Sequence, residues 1–274
     1  MSKPVKQIAL VANANKPAAG RIVQRAAKLA AAAGMKPVTD ESAARSADLV
    51  MVFGGDGTML HWARATAGSG TPIFGVNIGG MGFLTAVSGK ELAKAIQAIA
   101  ARKFSTESRT LLSASGESNG TAFRLNAMNE MVVSRGTVPR MIRVEVKVDG
   151  EVLTIYRCDG LVVGTPTGST AYSLAAGGAI VAPDAGVFSI TPVCPHTLSN
   201  RAVIVSQQSA VEVRLLDRQR EATLSADGSD VVTLGANSPV TIHRSRHKVK
   251  LARLPGSSFF QTLRQKLQWT GSHA

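Results

Sequence analysis

The sequence predicts an open, mostly parallel α/β domain followed by a larger, mostly-β domain. Two changes of texture carry this. Strand-length apolar runs alternate with amphipathic helical stretches as far as Phe104, after which short β-branched runs separated by turn residues take over. Helical spacing returns only at Phe259 to Leu267. At 274 residues the chain is long enough for two cores.

Taken in order, Gln7 to Ala12 is a short apolar strand, and Arg21 to Ala33 carries apolar residues at helical spacing and stops at Gly34. Leu49 to Phe53 is uninterrupted and apolar, the pattern of a strand buried on both faces; Met59 to Ala67 is helical, Ile73 to Val76 is a strand, and Lys90 to Ala101 is a helix. Such alternation argues for a parallel sheet covered by helices. Beyond Phe104 the strand signals are Val132-Val133, Arg143 to Val148, Val152 to Tyr156, Leu161 to Val163, Val203 to Val205, Val211 to Leu215, Val231 to Leu234 and Val240 to Ile242. Asp149-Gly150 marks a hairpin. The expected domains are 1–104 and 105–254, with the helix in 255–274 placed to pack back on the first.

Composition excludes several classes. Hydrophobic residues at 45% and charged residues at 18% are ordinary for a globular protein, and aromatics at 4% are too sparse for stacking platforms that hold single-stranded nucleic acid. The net charge of +13 by itself reads first as a device for solubility; it would also concentrate nucleotides or other polyanions near the surface. With that charge, the basic run His243 to Lys250 suggests a non-catalytic nucleotide-sensing or nucleic-acid-binding protein as a competing class, but alternating charge in a short terminal strand reads first as a solvated face. Cys158 and Cys194 form neither a metal framework nor a secreted disulfide scaffold, and both are expected reduced and buried. No stretch approaches the ~18 apolar residues of a membrane span, and no signal h-region opens the chain. A cytoplasmic protein without membrane or nucleic-acid partners is expected.

The chemistry centres on Gly54-Gly55-Asp56-Gly57-Thr58, between a buried strand and a helix. A glycine turn opening a helix exposes N–H groups and a positive helix end that favour phosphate. An aspartate there would repel phosphate, unless it accepts a proton from an attacking hydroxyl or helps hold a metal ion bridging the phosphates. Both roles belong to phosphoryl transfer. Gly75 with Gly79-Gly80-Met81-Gly82 reads as a second glycine turn at the same edge of the sheet, where open α/β folds bind ligands; the alternative is that these glycines only allow a tight crossover. Neither a P-loop nor a G-x-G-x-x-G fingerprint is present.

Asn129-Glu130 places an amide and a carboxylate in an apolar run, where burial without partners costs about 1–3 kcal/mol per group. Ribose hydroxyls and an adenine edge are suitable partners; a pair of surface residues on an edge strand is the alternative. From Asp159-Gly160 through Thr165-Pro166-Thr167-Gly168-Ser169-Thr170-Ala171-Tyr172-Ser173, a strand runs into a helix through a turn crowded with hydroxyls, more of them than capping requires, and suited to nucleotide phosphate and sugar. Tyr172 is placed either along a base or in the core. Cys194-Pro195-His196 lacks further ligands at zinc spacing, and His61 reads as a helix-surface histidine.

These strings, with Ile190-Thr191-Pro192-Val193-Cys194-Pro195-His196, resemble bacterial NAD kinase in order and wording over nearly the whole chain. The first turn is shared with lipid kinases of the diacylglycerol and sphingosine type, whereas Thr165-Pro166-Thr167-Gly168-Ser169-Thr170-Ala171-Tyr172 is far more specific. The resemblance implies a Rossmann-like first domain, a β-rich dinucleotide-binding second domain, and transfer of the terminal phosphoryl of ATP or polyphosphate to the 2′-hydroxyl of the adenosine ribose of NAD. Asp56 would be the proton acceptor, and Gly54, Gly55, Gly57 and Thr58 would border the phosphates. Asn129, Glu130, Asp159, Thr170, Ala171, Tyr172 and Ser173 would hold the dinucleotide, with Arg140 and Arg157 as further basic contacts. Magnesium accompanying ATP, with no protein metal cage, and a homodimer or homotetramer with shared sites are also implied. Gly164 and Ser229 depart from residues that relatives commonly carry. The competing enzymatic reading, a lipid kinase, would need an apolar membrane-facing segment that the sequence lacks.

Overall fold

A computed structural model of the chain describes residues 4–13, 17–80, 82–136, 140–197, 200–217, 221–236 and 238–269. It divides into two compact units, Met1–Arg109 with Lys248–Ala274, and Thr110–His247. The division after Arg109 falls within a strand, and the return begins at Lys248 on the last strand.

The first unit runs β1 (Gln7–Ala12), α1 (Pro17–Ala32), β2 (Lys36–Val38), β3 (Leu49–Gly54), α2 (Asp56–Thr66), β4 (Pro72–Asn77), β5 (Val87–Ser88) and α3 (Leu92–Ala100). Strands β2, β1, β3 and β4 lie side by side and parallel, and β5 pairs with the end of β4 at Val76 and Asn77. All of β3 is buried, as an apolar strand covered on both faces must be. Helix α1 presents Ala26 and Ala30, and α3 presents Leu92, Ala95, Ile96 and Ile99, to a core containing Ile8, Leu49, Met51, Phe53 and Phe74. The spacing of the α3 residues is one helical face, which is why this stretch was legible as a helix.

The second unit is built from antiparallel strands: β6 (Ser105–Ser118) from Thr110 onward, β7 (Thr121–Ala127), β8 (Glu130–Arg135), β9 (Ile142–Val148), β10 (Glu151–Cys158), β11 (Gly160–Gly164), β12 (Val187–Val193), β13 (Val203–Ser206), β14 (Val211–Leu215), β15 (Ala222–Ala226), β16 (Ser229–Leu234) and β17 (Val240–Arg253) as far as His247. A one-turn helix, α4 (Tyr172–Ala175), follows β11, and α5 (Phe259–Lys266) follows β17 in the first unit. One sheet has the order β13-β12-β11-β8-β15-β16. Strands β10, β9, β14 and the start of β17 pair in a second antiparallel array, and β6 pairs with β7. Leu161, Val163, Phe188 and Leu224 meet Val144, Val146, Val213 and Ile242 in one core. At the β9–β10 turn, Asp149 and Gly150 take φ of 52° and 87°, the left-handed pair that a two-residue hairpin demands. The charged run at the end of the chain is not a short terminal strand: β17 extends over 14 residues, and its Lys250 and Leu251 lie parallel to Pro72 and Ile73 of β4.

Candidate active site

In the first unit, Asp56 is the first residue of α2, where a carboxylate complements the positive helix end. Its side chain is fixed by backbone of the second glycine turn: Phe83 N–H donates to Oδ2 at 2.8 Å and Leu84 N–H to Oδ1 at 3.0 Å. Gly82 lies so close that a Cβ there would sit 2.0 Å from Oδ1. A carboxylate offers about four lone-pair sites, so two accepted bonds leave capacity for a proton.

The glycines around it are of two kinds. A Cβ on Gly54 would lie 2.3 Å from Thr58 Oγ1, so Gly54 is required by packing. Gly55, Gly57 and Gly80 would meet nothing within 4 Å, and none is among the glycines at positive φ. The fold does not demand glycine there, which leaves open backbone for a ligand to approach. Gly57, Thr58 and His61 line a cleft of about 340 Å³ with Asn13, Glu41 and Trp62. Met81 lies outside the described residues, and Asn77 shapes the rest of its turn by donating to Gly80 O and accepting from Gly79 N–H, both at 2.6 Å.

In the second unit, Asn129 directly precedes β8, and Glu130 is its first residue. Strand β8 is interior to its sheet, between β11 and β15, and both side chains are buried, which removes the edge-strand alternative. Asn129 Oδ1 and Glu130 Oε2 are buried atoms without a hydrogen-bond partner among the described residues. Burial and the nearby Asp227 carboxylate push the Glu130 carboxyl up to about 8. Asp227 itself accepts N–H from Met128 at 2.9 Å, Asn129 at 2.7 Å and Glu130 at 3.2 Å. The sequence reading missed this residue. Asp227-Gly228 carries a plain hairpin signal between β15 and β16, with nothing local to show that the carboxylate organises residues 128–130.

Several hydroxyls after β11 are hydrogen-bonded within the protein. Thr165 Oγ1 donates to Met128 O at 2.6 Å and accepts from Gly168 N–H at 3.2 Å. Ser169 Oγ donates to Pro166 O at 2.7 Å and accepts from Val181 N–H at 3.0 Å. Thr170 Oγ1 donates to Thr167 O at 3.4 Å, and Ser173 Oγ pairs with Thr191 Oγ1 at 3.1 Å. Thr165, Ser169 and Ser173 are buried, so these groups build the turn instead of presenting free donors. Gly168 is pressed against Asn129, where a Cβ would lie 2.2 Å from the carbonyl oxygen. The segment thereby seats the backbone of Asn129. Ala171 is half-buried, and Tyr172, at 44% exposure, is a surface side chain and not a core one.

Asp159 is half-buried, 3.2 Å from Arg135 Nε, and Arg140 and Arg157 are exposed. Cys158 is buried, and burial pushes its thiol up to about 12. Cys194 corrects the expectation of burial: it is exposed, at a φ of 46° in the turn after β12. His196 is also exposed and is tied in through its backbone N–H to Arg157 O at 2.9 Å. Gly164 has a packing reason, since a Cβ would come within 2.9 Å of Ser189 Oγ, and Ser229 Oγ donates to Ala226 O at 3.2 Å. A second residue missed in the sequence is Arg253, whose guanidinium donates to the carbonyls of Phe83 and Leu84 at 3.4 Å each.

Comparison with known proteins matches the ATP-NAD kinase N-terminal domain to residues 17–104 and the ATP-NAD kinase C-terminal domain to residues 128–254. The chain is 42% identical to the NAD kinase of Desulforamulus reducens over 222 residues, covering 81% of this chain and 77% of that one. It is likewise 42% identical to the NAD kinase of Nitrosospira multiformis over 235 residues, with 85% and 80% covered. Among solved structures, the NAD kinase from Archaeoglobus fulgidus in complex with ATP matches with a TM-score of 0.78 at 25% identity, covering 97% of this chain and 100% of that one. Yeast NADH kinase complexed with NADH shares the fold with a TM-score of 0.84 at 23% identity, covering 99% and 90%. With both domains matched and relatives this similar over most of their length, the chain belongs to the NAD kinase family of enzymes.

Proposed function

We propose that the enzyme transfers the terminal phosphoryl of ATP, or of polyphosphate, to the 2′-hydroxyl of the adenosine ribose of NAD, giving NADP. The 2′-O–H bond breaks, its proton passes to the Asp56 carboxylate, and the oxygen forms a bond to phosphorus as the bond to the leaving phosphate breaks. The observation that carries this reading is the fixed carboxylate of Asp56 beside glycines that the fold does not require. In the second unit, the unpartnered Asn129 Oδ1 and Glu130 Oε2 are suited to the hydroxyls and base of a nucleoside. Asp159, Arg140, Arg157, Ala171, the exposed ring of Tyr172, and the backbone near Thr170 and Ser173 are assigned to the same dinucleotide.

Among the described residues, no group of three or more His, Cys, Asp or Glu side chains is placed to hold a metal ion. A single carboxylate suits magnesium that arrives with ATP and is held by phosphate oxygens and water. Such an ion would neutralise charge on the transferring phosphate. No described helix is long and apolar enough to cross a membrane. The reading includes a cytoplasmic homodimer or homotetramer, to which the exposed Val152 and Ile155 of β10, at the end of its sheet, would contribute.

The test is incubation with NAD, magnesium and either ATP or polyphosphate, with product read by an NADP-specific dehydrogenase, beside a parallel incubation with diacylglycerol. NADP formation is expected. Lipid phosphate without NADP would overturn the reading.

A further inference from the structure

The loop that holds Asp56 is itself held, from its far side, by one guanidinium. Arg253 Nη2 donates to the Phe83 carbonyl and Nη1 to the Leu84 carbonyl, both at 3.4 Å. The Phe83 carbonyl and the Leu84 N–H belong to one peptide group, and that N–H donates to Asp56 Oδ1 at 3.0 Å. One rigid plane therefore lies between the carboxylate and the guanidinium. Polarisation of the carbonyl by a cation strengthens the N–H of the same peptide as a donor.

The guanidinium has its own support. Arg253 Nε lies 3.6 Å from Glu107 Oε2, the Arg253 side chain is 14% exposed, and Glu107 also pairs with Arg109. Two hydrogen bonds of 3.4 Å are long individually, but the planar fork fixes both carbonyls in one orientation, which an ammonium cannot do. On the other side of the loop, the absence of a side chain at Gly82 lets the chain close to within contact of Asp56.

We propose that Arg253 is a positioning residue for phosphoryl transfer: through the peptide between Phe83 and Leu84 it sets where the Asp56 carboxylate stands, without touching substrate. This rests on the reading of Asp56 as proton acceptor. Misplacing a reacting group by about 1 Å costs on the order of 10²-fold in rate, so a loop that drifts would lower turnover while leaving NAD binding intact.

The experiment is a double-mutant cycle with Arg253→Gln and Asp56→Asn, with Arg253→Lys as a second variant, followed by kcat and KM for NAD and by thermal unfolding. Arg253→Gln is expected to lower kcat about 10-fold or more with KM within about twofold, and Arg253→Lys, which keeps charge but not the fork, to lower it as well. In the Asp56→Asn background, Arg253→Gln should cost less than about twofold, since the group it positions is gone. If the two losses multiply, or if only KM moves, Arg253 braces the fold or the substrate and the positioning role is wrong. Should Arg253→Gln not fold, Arg253→Lys completes the same cycle. Normal turnover by Asp56→Asn alone would remove the proton-acceptor reading and this inference together; an impaired Asp56→Asn with multiplying losses removes only the inference.

Discussion

Asp227 and Glu130 are joined by two hydrogen bonds: the Asp227 side-chain Oδ1 accepts the Glu130 N–H at 3.2 Å, and the Asp227 backbone N–H donates to the Glu130 carbonyl at 3.0 Å. The same Asp227 carboxylate accepts the N–H groups of Met128 and Asn129. Its backbone sits at a φ of 50°, a left-handed conformation that Asp and Asn tolerate better than Ala.

Asp227→Ala should therefore leave buried N–H groups without an acceptor and strain the turn as well. Loss of about 2 kcal/mol or more is expected in denaturant unfolding, with a raised KM for NAD. Asp227→Asn keeps one acceptor oxygen and the turn, and should lose less.

Glu130 predicts a pH dependence of stability. Its carboxyl is pushed up to about 8 in the folded chain from an ordinary 4.5, chiefly by burial and further by Asp227. The native state thus keeps a proton that the unfolded chain releases above about 4.5, and the unfolded state binds fewer protons. This group's contribution is fully present at low pH and is lost as pH rises through the window up to about 8, by an amount on the order of a few kcal/mol. Glu130→Gln should flatten that part of the stability profile, measured by urea unfolding between pH 5 and 8 (about the limits of the window). An unchanged slope would mean that Glu130 is already ionised in the folded state.

The two kinds of glycine near Asp56 should separate in mutation. Gly57→Ala meets nothing in the fold and places a better helix former in α2, so thermal stability should hold or rise by about 0.5–1 kcal/mol while kcat/KM for ATP falls. Gly82→Ala drives a methyl group into the Asp56 carboxylate and should lower both stability and turnover. Equal activity of Gly57→Ala and the parent would remove the argument that open backbone there is kept for phosphate.

What the sequence disclosed follows from where the physical signal lies. Strands β1, β3 and β4 are continuous apolar runs and were legible. Strands β6 and β7 were not, because the exposed start of β6, Ser105 to Ser108, and most of β7 are polar or unburied, and the buried run Leu111 to Ala114 is short and includes a serine. β12 was hidden by Pro192, which carries no N–H for the ladder, and the length of β17 by its charges. Asn129 and Glu130 stood out because polar groups in an apolar run need partners. The internal bonds of Thr165 and Ser173 were not legible because their partners, the Met128 carbonyl and the Thr191 hydroxyl, are remote in sequence. Asp227 and Arg253 act through backbone groups of distant segments, and no local pattern marks them.

The most direct measurement is single-turnover transfer by Asp56→Asn on enzyme saturated with NAD, ATP and magnesium, alongside calorimetric NAD binding. The substituted amide would keep one acceptor oxygen for the loop but take up no proton at neutral pH, so the transfer step should slow by roughly 10²-fold or more while NAD affinity stays within a few-fold. Transfer at the parent rate would contradict proton acceptance by Asp56 and leave that carboxylate as a structural tie between α2 and the Phe83–Leu84 loop.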